Sequence, residues 1–120
     1  MTHPDFDRCK HWIEAALNAQ PVRTHTIEDV EKMIHDGHAI LLSGRNCAMV
    51  LEPQTYPLLN ALHIWLAGGD LAELHSFAPR VLEIKNLLGC KVITEAGRLG
   101  WLRELKKRGA RLAYVVLIKD

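Results

Sequence analysis

Trp65-Leu-Ala-Gly-Gly-Asp-Leu-Ala-Glu-Leu74 is the stretch on which the fold turns. An apolar run from Leu58 to Leu66 leads into it and reads as a strand. Gly68-Gly69 breaks that strand, and Asp70 is a residue type that caps a helix by accepting from its free N–H groups. The helix that follows buries Leu71, Leu74, Ala78, Val81 and Leu82, then Leu87 or Leu88, and Gly89 closes it. Pro79 falls inside this helix and removes one hydrogen bond, which predicts a kink or a broken first turn. Strand, glycine break, capped helix: that succession sets the class.

Outward from it, Lys91 to Glu95 reads as a short strand and Arg98 to Arg108 as a helix with Leu99, Leu102 and Leu105 along one side. Gly109 caps that helix, and the β-branched run Arg111 to Ile118 reads as a last strand. Toward the N-terminus, His38–Leu42 and Cys47–Leu51 flank the turn-rich Ser43-Gly44-Arg45-Asn46 and read as a hairpin. The loop Glu52 to Pro57 carries two prolines, which cannot donate to a ladder. Phe6, Cys9, Trp12, Ile13, Ala16 and Leu17 recur at helical spacing over Asp5 to Ala19, and Pro21 ends that helix. Thr26 and Asp29 have capping-box spacing before a short helix through Val30, Met33 and Ile34 that stops at Gly37. The order is ααβββαβαβ: an antiparallel meander feeding a βαβ-type unit, hence a mixed α/β sheet in a single domain spanning 1–120.

Composition narrows the function classes. The 120 residues are 48% hydrophobic and 24% charged with a net charge of +1, a profile that excludes intrinsic disorder and a general nucleic-acid coat. Cys9, Cys47 and Cys90 are isolated and form no CxxC pair, so they read as buried thiols in a reducing compartment. No apolar run reaches the length of a membrane span, and the acidic start MTHPDFDRCK does not read as a secretory leader. Seven histidines include no HExxH and no helical pair at i, i+4, so no metal is expected.

The order and three of its stretches resemble a known family. Trp65–Leu74, Gly89-Cys-Lys-Val-Ile-Thr-Glu-Ala96 and Gly97-Arg-Leu-Gly-Trp-Leu-Arg-Glu-Leu105 are similar to small GNAT-like (N-acetyltransferase fold) proteins of tailed-phage and prophage genomes. The GNAT resemblance implies acetyl-CoA, with its diphosphate on backbone N–H groups where the glycine loop meets the helix. Gly68 and Gly69 are the matching cofactor-binding positions. The basic or Gln residue that leads the family's loop is absent, and Asp70 brings a carboxylate that would repel a phosphate by on the order of 4 kcal/mol at ~4 Å. The family's Tyr, four residues before a glycine on the last helix, would fall on Leu105, which carries no proton. His63 and Glu95, with Glu52 beside them, are the remaining acid–base groups near strand ends.

Charge is unevenly placed. Residues 1–36 hold seven acids and four bases, and residues 91–111 hold seven bases and two acids. Arg98, Arg103, Lys106, Lys107, Arg108 and Arg111 form a cationic patch, read either as a solvated helix face or as a docking surface. Arg98 beside Glu95 also suggests an anion site at that turn. The expectation is a non-catalytic GNAT-like protein without cofactor. It would dock other phage structural proteins, or copies of itself, as a virion or virion-assembly component in the host cytoplasm. The alternative is an acetyl-CoA-dependent N-acetyltransferase with an atypical loop.

Overall fold

A computed structural model describes residues 5–96, 104–114 and 116–119. Helix α1 (Phe6–Asn18) turns Phe6, Cys9, Ile13 and Leu17 inward, the three-to-four spacing that puts one stripe against a sheet. Helix α2 (Ile27–His35) opens with the full capping box: Thr26 Oγ1 accepts from the Asp29 N–H, and the Asp29 carboxylate accepts from the Thr26 N–H. Gly37 at φ 81° lets the chain leave that helix.

Strands β1 (Ile40–Ser43), β2 (Cys47–Thr55), β3 (Asn60–Gly69) and β4 (Val92–Glu95) form one sheet in the order β1-β2-β3-β4. The first two pairings are antiparallel and β3–β4 is parallel, joined by a crossover through α3 (Leu71–His75) and α4 (Ala78–Leu87). Side-chain alternation divides the core into two layers. Leu41, Ala48, Val50 and Leu66 meet α1 and α2. Leu42, Met49, Leu51 and Leu62 meet Leu74 of α3 and Val81 of α4 on the other side.

One residue shifts that alternation. Val50 pairs with Leu66 and Leu51 with Ile64, so Trp65 is the extra residue of a β-bulge. Leu62 and Ile64 therefore join one layer while Leu66, two positions on, joins the other. β4 reaches only to Glu95, opposite Ile64, so β3 runs on from Trp65 to Gly69 with no β4 partner among the described residues.

The structure settles several details of the sequence reading, and Leu71, Leu82, Leu87 and Leu88, expected to be buried, are exposed. Gly68 and Gly69 do not break β3; they pair with Ala48 and Cys47 and are its last two residues. Pro53 lies within β2, tolerated because β1 ends opposite Leu51 and leaves that side of β2 an edge. The helix expected to kink or to break its first turn at Pro79 takes the second course: its first turn stands apart as α3, and the proline lies in the first turn of α4, where its missing N–H costs nothing. The last strand expected over Arg111–Ile118 is not formed by residues 111–114 and 116–118. β-branched residues favour a strand only where a neighbouring edge receives them, and here Tyr114, Val116 and Leu117 stay exposed. A short helical turn at 104–107 falls within the expected helix, whose first part lies outside the described residues.

Candidate functional site

His63 sits on the central strand β3, between Leu62 and Ile64, which both point into the α3/α4 layer; its ring therefore faces the α1/α2 side. On that face the register sets it opposite Glu52 of β2 and Thr94 of β4. His63 Nδ1 and Thr94 Oγ1 are 2.7 Å apart. Glu52 Oε1 accepts from Gln54 Nε2 at 3.0 Å, and Gln54 Oε1 accepts from the Tyr56 hydroxyl at 2.8 Å. A polar strip thus crosses three strands on one face of the sheet.

Partial burial lowers the pKa of His63, and the nearby Glu52 charge opposes that only in part. The imidazole is accordingly neutral near pH 7, and in the tautomer whose Nδ1–H donates to Thr94 Oγ1, Nε2 is the nitrogen left to take a proton. Glu95 does not join this group. It pairs with Ile64, so its side chain leaves by the opposite face, where partial burial of the carboxyl raises its pKa.

The glycine pair is held by the fold itself. A Cβ on Gly68 would lie 2.6 Å from the Trp12 carbonyl oxygen, so α1 crosses β3 there only because position 68 has no side chain. Gly69, at φ 105°, lies against the Asn46 carbonyl and the Cys47 backbone. Asp70 caps α3: its carboxylate accepts from the Glu73 N–H at 3.2 Å, while its own N–H donates to the Asn46 carbonyl at 2.9 Å.

Glu73 completes the arrangement. Its Oε1 accepts from the Asn46 N–H at 2.9 Å and from the Cys47 thiol at 3.1 Å, which ties the start of α3 to the β1–β2 turn. These bonds, the Asn46 N–H first, hold the Glu73 carboxyl below the usual range. Burial, and then the Glu73 bond, push the Cys47 thiol up to about 12, so it is a donor and not a nucleophile. Gly44 gives the carboxylate its room, because a Cβ there would collide with Glu73 Oε1.

Of the cationic patch, Lys106, Lys107, Arg108 and Arg111 are exposed, and Arg108 lies 3.6 Å from Glu104. Glu104 is also 3.9 Å from His75 at the end of α3. Arg98 and Arg103 lie outside the described residues, as does the Arg98 side of the anion site expected beside Glu95. Thr94 and Glu73 escaped the sequence reading. Glu73 had a signal, since Asp70 and Glu73 share capping-box spacing; Thr94 required the parallel register of β4. The described residues hold no group of three or more metal-ligating side chains, and no helix among them is long and apolar enough to cross a membrane.

No family model matches the chain, and neither does any curated protein. Solved structures do. A transcriptional regulator from Bacillus halodurans superposes with TM-score 0.69 at 12% identity, over 100% of this chain and 95% of that one. Glucosamine-6-phosphate N-acetyltransferase from Arabidopsis thaliana gives 0.63 at 11% over 100% and 95%, and a Trypanosoma brucei acetyltransferase 0.63 at 13% over 92% and 89%. The chain has the N-acetyltransferase fold. These likenesses extend to the fold, and none of the three neighbours is described as a virion protein.

The N-acetyltransferase fold implies coenzyme A, and the two halves of that molecule meet different surroundings here. The stretch Trp65–Gly69 has no β4 partner among the described residues, and an extended thioester arm would lie along it. The start of α3 does not fit a diphosphate. The helix has five residues, its capping N–H already donates to Asn46, its third N–H is taken by Asp70, and both Asp70 and Glu73 bring negative charge.

Proposed function

We propose that the chain catalyses acyl transfer from a thioester to an amine, with His63 as the proton acceptor. The observation that carries this reading is the His63 ring, held by Thr94 and facing Glu52, on the central strand two residues before the Trp65 bulge. The amine nitrogen bonds to the acyl carbon, the carbon–sulfur bond breaks, and an amide and a thiol result. His63 Nε2 removes the proton from the amine, and that proton meets the need of the departing sulfur, so no further acid is required. Glu52 stabilises the imidazolium that forms in between. The acetyltransferase neighbours support the reading at the level of the scaffold.

Mass spectrometry of a panel of primary amines incubated with acetyl thioesters tests it. His63→Gln is expected to cut the transfer rate about 100-fold, within the usual range for a general base. No transfer to any amine by the wild-type chain, or a His63→Gln rate within threefold of it, contradicts the reading.

A second reading is a non-catalytic docking protein of the same fold. The carboxylates at the start of α3 and the exposed cations at 106–111 favour it. Its phage or virion setting rests on the sequence resemblance alone.

A further inference from the structure

We infer that this chain takes an acyl thioester without its nucleotide: the donor is recognised through a pantetheine-type arm, and the diphosphate of coenzyme A adds nothing to its binding. The inference rests on the acyl-transfer reading above and names the donor class for the same site. Two carboxylates, Asp70 and Glu73, stand where the diphosphate would need converging N–H groups. Asp70 keeps the Glu73 N–H, and Asn46 keeps the Asp70 N–H as its own donor. Glu73 in turn draws the N–H of Asn46 and the thiol of Cys47 to itself, and the chain has made space for it by placing Gly44 in the turn. These donors therefore serve internal acceptors, two of them carboxylates.

Displacing them would break bonds that join α3 to the β1–β2 turn, while leaving them in place sets two negative groups against an incoming diphosphate. An arm lying along Trp65–Gly69 meets neither obstacle. A donor that ends in a phosphopantetheine thioester, free or carried on a protein, asks for no nucleotide seat. The nucleotide is the half that finds no seat.

Isothermal titration of the full chain with acetyl-CoA and with acetyl-pantetheine reads the inference directly. Acetyl-CoA is expected to bind no more tightly than acetyl-pantetheine, and 3′-phospho-ADP is expected not to compete with either. The double variant Asp70→Asn/Glu73→Gln keeps a capping side chain while removing both charges. In it the affinity for acetyl-CoA relative to acetyl-pantetheine is expected to rise at least fivefold over the wild-type ratio. A wild-type preference for acetyl-CoA above threefold, competition by 3′-phospho-ADP, or a ratio that stays unchanged in the double variant overturns the inference. Those outcomes leave acyl transfer standing. Failure of both thioesters to bind or to acylate any amine removes the acyl-transfer reading, and the inference with it.

Discussion

Burial of His63 favours its neutral ring, and the same preference makes the fold sensitive to pH. The folded-state pKa lies below the ordinary histidine value, so between the two the unfolded chain binds more protons than the folded one. The stability this ring contributes is present above the ordinary value of about 6.5 and is lost as pH falls through the folded value. Thermal denaturation at pH 7.5 and pH 5 should therefore show a larger fall for the wild type than for His63→Gln. An equal fall in both would mean that the ring is not held neutral. Glu73 contributes in the same direction at lower pH, because its bonds to the β1–β2 turn require the carboxylate.

At the scale of elements, β3 sets everything else. Its bulge at Trp65 sends Leu66 to one layer and Leu62 with Ile64 to the other, and its last two glycines admit α1 on one side and the β1–β2 turn on the other. Gly68→Ala should cost about 1–3 kcal/mol in chemical denaturation, because the new methyl would meet the Trp12 carbonyl, which moves only with α1. A cost near zero would show that α1 does not rely on that close approach. The sequence displayed the elements well because helical spacing in α1, the capping box of α2 and the apolar runs of β1 to β3 are local signals. It misled at Gly68-Gly69, since a strand can end in glycines when another backbone needs the room. It misled at Arg111–Ile118 as well, since β-branching states a preference and only a neighbouring edge fulfils it.

For the whole molecule, the sheet order brings together what the chain keeps apart. Glu52, His63 and Thr94 lie on three strands, and only the antiparallel register of β2–β3 with the parallel register of β3–β4 makes them neighbours. That is why His63 and Glu52 were legible as residue types but not as a pair, and why Glu95 fell on the far face: alternation along β4 separates it from Thr94. The cofactor corner was legible in part. Asp70 announced a cap, whereas the Glu73 bonds to Asn46 and Cys47 join residues more than 25 positions apart and emerge only on folding. The most direct test of a site on this face is a backbone-amide NMR titration with acetyl-pantetheine. Shifts are expected at His63, Thr94 and Trp65 to Gly69, with residues 71–73 unmoved; shifts confined to residues 70–73, or none at His63, would contradict it.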